Sequence, residues 1–66
     1  MQITLNGEDT ILKDSISVLQ MIEDLELDIR KIAIERNLEI IPFSNLNSTI
    51  LEDGDRVEIV QFIGGG

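Results

Sequence analysis

Hydrophobic and polar residues alternate at the start of the chain. Ile3 and Leu5 are separated and flanked by polar residues, and Asn6 and Gly7 follow them before residues 10–12 resume an extended pattern. Alternation with a period of two is typical of β-strands, and Asn-Gly is the pair best suited to a tight two-residue turn. The pattern predicts an N-terminal β-hairpin.

The spacing of apolar residues then changes to that of a helix. Ser17 and Gln20 have the spacing of a capping box, and Ile16 and Met21 occupy the two positions of a hydrophobic staple. These signals predict a helix that starts at Val18. Its apolar stripe recurs at helical spacing and ends near residue 25, while Gln and acidic residues occupy the opposite side.

Two further strands and an irregular connection are predicted in the middle of the chain. Apolar residues alternate over 32–35, a turn is predicted at 36–38, and the second strand ends at Pro42. The Ser- and Asn-rich stretch 43–49 predicts an irregular connection that contains one short helical turn. We interpret Phe43 and Leu46 as its anchors in the core.

The last strand follows a polar turn at 53–55, and its apolar residues continue to Ile63. The element order is hairpin, helix, two short strands and a final strand. This order predicts the α+β class, with one sheet of four to five strands covered on one face by a helix. A chain of 66 residues has room for a single domain, which we place at residues 1–66.

Charge narrows the range of partners. The chain has 13 acidic and 5 basic residues and a formal net charge of -8, which repels phosphate backbones and anionic lipids. We therefore expect no nucleic acid and no membrane partner. A basic protein partner and simple solubility explain the charge equally well. Without an apolar signal core or membrane-spanning stretch, the sequence predicts a cytoplasmic protein.

The residue types present argue against catalysis by the chain itself. It contains no Cys and no His, which removes thiolate chemistry, a neutral-pH proton carrier and the usual zinc or iron ligands. The acidic residues at 52–55 lack the longer ligand spacing of a calcium loop, and those at 23–26 face outward on the helix. We expect no metal and no bound cofactor, and interpret both clusters as solvated surface.

Three glycines, Gly64, Gly65 and Gly66, follow the last strand. Glycine has no Cβ, so such a tail is flexible and thin enough to enter a narrow channel. It would present the carboxylate of Gly66 and little else. A frayed end and an engineered remnant are the alternative explanations, and composition alone leaves all three open.

The order of these motifs resembles the ThiS family, the sulfur carriers of thiamine biosynthesis, over essentially the whole chain. The most specific stretch is Leu51 to Gly66, which reads LEDGDRVEIVQFIGGG and is similar to the family's Asp-Gly-Asp turn, last strand and C-terminal diglycine. The resemblance implies a ubiquitin-like β-grasp fold with one mixed sheet. One departure is Leu38, where many relatives have glycine, which puts the geometry of that turn in doubt.

The resemblance also implies a chemistry for the tail. An E1-like enzyme would adenylate Gly66 with ATP, and sulfur from a persulfide donor would then displace AMP to leave a thiocarboxylate. Thiazole synthase would take up that sulfur. Gly65 and Gly64 would give access to the partner active sites, and ATP would be used by the activating enzyme rather than bound by this chain.

Other β-grasp functions remain open at this point. One is a sulfur carrier of another pathway, such as the small subunit of molybdopterin synthase, although that family is usually somewhat longer. Another is a ubiquitin-like modifier that forms isopeptide bonds through Gly66. The third is an interaction domain in which the tail has no role.

The last strand also offers a candidate docking surface. Val60 and Phe62 alternate out of step with Val57 and Ile59, so they are expected either to be exposed for partner contact or to be turned inward by a bulge. We expect Glu58, Val60 and Phe62 to contact the activating enzyme in the first case.

Overall fold

Residues 1–62 are described by a computed structural model of the chain. Its elements, in chain order, are β1 (Gln2–Leu5), β2 (Glu8–Ile11), α1 (Val18–Asp24), β3 (Ile32–Arg36), β4 (Glu39–Ile40) and β5 (Arg56–Gln61). Two 3₁₀-helices, Ile29–Lys31 and Phe43–Asn45, lie in the connections. Ile63 and the predicted tail, Gly64, Gly65 and Gly66, lie outside the described residues.

The strands form one five-stranded sheet in the order β2-β1-β5-β3-β4. β5 lies in the centre, parallel to β1 and antiparallel to β3, and each outer strand pairs antiparallel with its hairpin partner. A parallel pair needs a long crossover, which here contains α1 and the β3–β4 hairpin. The predicted mixed sheet and the α+β class are confirmed.

Both hairpins turn through two residues with positive φ. Asn6 and Gly7 have φ values of 49° and 83°, and Asn37 and Leu38 have values of 51° and 72°. Two consecutive positive φ angles define the type I′ turn, whose twist matches that of the flanking strands. The doubt about Leu38 is therefore answered: the turn is retained, with a Cβ at a position where glycine is preferred.

Helix α1 begins where its capping signal predicts. The Ser17 hydroxyl oxygen accepts a hydrogen bond of 3.0 Å from the backbone N–H of Gln20. The side chain of Gln20 donates to Asp24 instead of returning to Ser17, so only one bond of the capping box is present. The staple residues Ile16 and Met21 are both buried. No helix within residues 1–62 is long and apolar enough to cross a membrane.

The core lies between α1 and one face of the sheet. It contains Ile3, Ile16, Val18, Met21, Ile22, Ile32, Ile34, Leu46, Leu51 and Val57. Val18, Met21 and Ile22 of α1 are fully buried. Leu25, predicted at the end of the same stripe, is exposed because it caps the helix rather than belonging to its last turn.

One of the two predicted anchors of the 43–49 connection is wrong. Leu46 is buried, and its carbonyl accepts a hydrogen bond from the backbone N–H of Leu19 at the start of α1. Phe43 is 65% exposed. It follows β4, the two-residue strand at the edge of the sheet, so of the two predicted anchors Leu46 is the one that lies in the core.

Candidate functional site

The candidate site lies at the C-terminal end of β5. Hydrogen bonding to β3 continues one residue beyond the strand, because the backbone N–H of Phe62 donates to the carbonyl of Lys31 at 2.8 Å. The described end of the chain therefore lies beside the first residues of β3. The predicted reactive residues Gly64, Gly65 and Gly66 follow Ile63 and lie outside the described residues.

Successive residues of β5 lie on opposite faces of the sheet. Val57 is 0% exposed and Ile59 packs against the core, whereas Val60 and Phe62 are 54% and 60% exposed. Pairing with β3 is continuous from Val57 to Gln61, without an extra residue on either strand. The bulge alternative is therefore wrong for this strand, and the expected exposure of Val60 and Phe62 is confirmed.

The apolar surface around these residues continues across the neighbouring strands. Val60 lies directly opposite Ala33 of β3, and the exposed Ile40 lies on the same face in β4, opposite Glu35. We call this set the open-face patch: Ala33, Ile40, Val60 and Phe62. The local sequence pattern does not identify Ala33 and Ile40 as part of this surface, because their position depends on the pairing of strands distant along the chain.

Two acidic side chains lie in the middle of this face. Glu58 is paired directly with Glu35 across β5 and β3, and both are partly exposed. No basic nitrogen within residues 1–62 lies within 4.0 Å of either carboxylate. The predicted site residue Glu58 thus shares a face with Val60, two positions further along β5, and with Phe62, the residue after the end of the strand.

A buried carboxylate fixes the start of β5. One oxygen of Asp55 accepts hydrogen bonds of 2.8 Å from the Arg36 side chain and from the backbone N–H of Glu52. Its second oxygen accepts a bond of 3.1 Å from the side chain of Asn37. Asn37 also accepts from the backbone N–H of Arg56. This network ties the β3–β4 turn to the first residue of β5.

Electrostatics keep that carboxylate charged. Burial alone raises the pKa of Asp55, but the hydrogen bonds from Arg36, from the Glu52 backbone and from Asn37 outweigh it, so the pKa lies below its ordinary value. The interpretation of this acidic cluster as a solvated turn is right for the exposed Glu52 and Asp53 and wrong for Asp55, which is buried.

The rest of the turn attaches β5 to the edge of β1. Gly54 has a φ of 88°, which a glycine adopts without strain, and its N–H donates to the carbonyl of Gln2 at 2.8 Å. Asp53 accepts a bond of 2.7 Å from the N–H of Gln2. Within residues 1–62, no three acidic side chains are grouped as a metal site would need.

A shallow depression lies near the end of α1, on the helix side of the sheet. It encloses about 280 Å³ and is lined by Leu5, Asn6, Leu25, Leu27, Ile59 and Gln61. None of these side chains can exchange a proton near neutral pH or act as a nucleophile. The depression therefore offers packing surface but no catalytic group.

Sequence comparison identifies relatives over the whole length. The model of the ThiS family matches residues 2–66. The sulfur carrier protein ThiS of Bacillus subtilis is 36% identical over 63 residues, which cover 94% of this chain and 96% of that protein. A thiazole synthase of Paramagnetospirillum magneticum is 46% identical over all 66 residues, but the chain spans only 20% of that enzyme's length.

Structural comparison agrees with the sequence. The crystal structure of the thiamine biosynthesis protein ThiS from Geobacter metallireducens superimposes with a TM-score of 0.87 and 29% identity, covering 100% of both chains. That protein shares the β-grasp arrangement of one mixed sheet and one covering helix. On the family match to residues 2–66 and these likenesses, the chain belongs to the ThiS family.

Proposed function

We propose that this chain is a sulfur carrier of thiamine biosynthesis that works through the carboxyl group of Gly66. The observation that carries the proposal is the family match, which runs through the glycines to residue 66. The name of the Bacillus subtilis relative, a sulfur carrier protein, supports the same role. Two thiazole synthases contain a segment similar to the entire chain, which supports thiazole synthase as the acceptor of the sulfur.

Activation is needed because a carboxylate oxygen is a poor leaving group. In the proposed reaction, an E1-like enzyme brings the Gly66 carboxylate to the α-phosphorus of ATP, forming an acyl adenylate and releasing pyrophosphate. The terminal sulfur of a persulfide then attacks the acyl carbon and expels AMP. A thiol then attacks the sulfur atom that belongs to the donor in the resulting acyl disulfide. The S–S bond breaks, which leaves the thiocarboxylate on Gly66 and a disulfide between the thiol and the donor.

The chain itself contributes access and recognition rather than catalysis. It has no Cys and no His, and ATP and the reacting groups belong to the partner enzymes in this proposal. Gly65 and Gly64 lack side chains, so the terminus can enter active sites too narrow for other residues. The sulfur is bonded to the carboxyl carbon of Gly66, so the carrier does not need a cysteine.

We assign docking of the activating enzyme to the open face near the end of β5. Val60 and Phe62 are exposed there, and four residues separate Phe62 from the terminus. An extended chain spans at most about 3.3–3.6 Å per residue, so Gly66 can lie no more than about 13–14 Å from Phe62. Any enzyme that acts on Gly66 must therefore come close to the surface around Phe62, where apolar side chains and Glu58 are available for contact.

Exchange between ATP and labelled pyrophosphate tests the activation step. The activating enzyme should catalyse this exchange with the intact chain and lose it with a variant lacking Gly65 and Gly66. Both proteins should unfold at nearly the same temperature, because the two deleted glycines have no side chain to bury in a core. Equal exchange with the shortened variant would refute the role of Gly66, and a large loss of stability would contradict a tail independent of the fold.

The products distinguish a carrier from a protein modifier. A carrier yields a single species with one oxygen replaced by sulfur, whereas a modifier yields a series of conjugates of higher mass on target lysines. The sulfur-transfer role requires the first product when ATP, the activating enzyme and a persulfide donor are all present.

A further inference from the structure

The Glu35–Glu58 pair has no stabilising role in the free chain. The two residues are directly opposite in adjacent antiparallel strands, which places their Cβ atoms about 4.5–5.5 Å apart. Like charges at this position destabilise a sheet. Neither carboxylate accepts a hydrogen bond from a protein donor within residues 1–62.

No nearby basic residue forms an ion pair with Glu35 or Glu58 within residues 1–62. Arg56 lies on the same face of β5, two residues before Glu58, yet neither carboxylate has a basic nitrogen within 4.0 Å in the described part of the chain. Arg36, the closest cation along β3, points to the covered side and bonds to Asp55. The pair therefore keeps two negative charges on an open, partly apolar face.

The surroundings of the pair are those of an interface. Ala33 and Val60 form the next cross-strand pair on one side, and the exposed Ile40 adjoins Glu35 on the other. An interface commonly combines apolar contacts with a few charged groups that select the partner. Two carboxylates flanked by apolar side chains are complementary to a Lys or Arg side chain set in an apolar surface.

We propose that the Glu35–Glu58 pair receives a basic side chain of the activating enzyme and selects that enzyme as the docking partner. The proposal rests on the proposed sulfur-carrier function. A second copy of the chain does not fit, because it would bring two more carboxylates to the pair and each chain has a formal net charge of -8. The activating enzyme fits because it must bring the Gly66 carboxylate against the phosphates of ATP, which requires a positive field around its site.

The test compares matched neutral variants in binding to the activating enzyme. Glu35→Gln and Glu58→Gln remove one charge each and keep the side-chain shape. Glu23→Gln is the control, since Glu23 is an exposed acid on α1, away from the open face. Each face variant should weaken binding at least about fivefold and reduce its salt dependence, whereas Glu23→Gln should change Kd less than about twofold.

A second measurement separates recognition from structure. Because the variants relieve repulsion in the free chain, Glu35→Gln and Glu58→Gln should raise the urea midpoint of unfolding while they weaken binding. A lowered midpoint would assign the pair a structural role and overturn the proposal. So would a Kd for the activating enzyme within about twofold of the wild type, or an equal loss of affinity in Glu23→Gln.

Pyrophosphate exchange with the wild-type chain distinguishes failure of the Glu35–Glu58 proposal from failure of the proposed function. If the intact carrier supports pyrophosphate exchange and the face variants bind as it does, only the role of the Glu35–Glu58 pair fails. If the intact carrier supports no exchange with an activating enzyme that accepts another carrier, the proposed function fails with it.

Discussion

The two sides of β5 divide folding from recognition. Asp55 begins the series that faces the helix side, and it continues through Val57 and Ile59 with every polar or apolar group either bonded or packed. The other series runs from Arg56 through Glu58 to Val60 and Phe62, with exposed apolar groups and a carboxylate that forms no ion pair within residues 1–62. Adjacent residues of β5 thus differ in role: one series is packed or hydrogen-bonded within the fold, and the other is exposed for contact with a partner.

This difference explains why the strand resists interpretation by hydrophobicity alone. Both series contain large apolar side chains, and both contain a carboxylate. What separates them is whether the fold supplies a partner: helix α1 and the Arg36 side chain do so on one side, and nothing within residues 1–62 does so on the other. The same substitution should therefore change the free energy of unfolding by different amounts on the two sides.

The largest expected effect compares two valines of this strand. Val57→Ala should lower the free energy of unfolding by about 2–3 kcal/mol, because it removes two buried methyl groups and leaves a cavity. Val60→Ala makes the same chemical change on the exposed side and should cost less than about 0.5 kcal/mol. Urea denaturation measures both values, and similar losses would refute the division between the two faces.

The two carboxylates give the next comparison. Asp55→Ala should destabilise the fold by about 2 kcal/mol, because it leaves the N–H of Glu52 and the side chains of Arg36 and Asn37 without their acceptor. Glu58→Ala, on the open side, should have no such cost. Denaturation of the two variants in parallel measures the difference.

Acid titration provides the control for Asp55. Its folded-state pKa is lowered, so its contribution is complete above the unfolded-state pKa of about 3.9 and is lost as pH falls toward the folded value. The wild type should therefore lose more stability than Asp55→Ala when pH falls below about 4. If stability falls equally with pH in the wild type and in Asp55→Ala, the lowered pKa of Asp55 contributes nothing to the stability of the fold.

The open-face patch should affect binding instead of stability. Replacing Val60 and Phe62 together by Ser should weaken binding to the activating enzyme about tenfold or more, because apolar contact area is lost. The midpoint of unfolding should stay nearly unchanged. Calorimetric titration gives the affinity, and unfolding of the double variant would show instead that these side chains support the fold.

The smallest effect concerns the hairpin beside this face. Leu38 has a φ of 72° and is 77% exposed, so its side chain adds strain with little packing. Leu38→Gly should raise stability by about 0.5–1 kcal/mol, since glycine adopts positive φ without a Cβ clash. Leu38→Ala keeps the Cβ and should show no gain. An equal gain from alanine would attribute the effect to the exposed side chain rather than to backbone strain.

Local signals made much of this fold predictable. Asn6 and Gly7 specify their own turn, and the hydroxyl of Ser17 caps the helix three residues before Gln20. Both interactions connect residues close in sequence, so their geometry follows from residue type and spacing. The strand character of β5 was predictable for the same reason, whereas the exposure of Val60 was one of two alternatives that the pairing of β5 with β3 decides.

The parts that were not predictable depend on distant pairing. Asp55 is buried because Arg36, 19 residues away, reaches it, and no local pattern identifies that partner. The Glu35–Glu58 pair exists only through the register of β3 with β5. Phe43 is a large apolar residue of the type expected in a core. It is exposed, next to a strand of only two residues. The reactive role of Gly66 comes from family resemblance, since glycine alone carries no chemical signature.

Intact-mass measurement tests the central proposal most directly. The chain is incubated with the activating enzyme, ATP and a persulfide donor under reducing conditions, and fragmentation locates any change. The account predicts a single product in which sulfur replaces one oxygen of the Gly66 carboxyl group, with no product when ATP is omitted. An unchanged mass with an activating enzyme that converts another carrier, or sulfur located elsewhere on the chain, would contradict it.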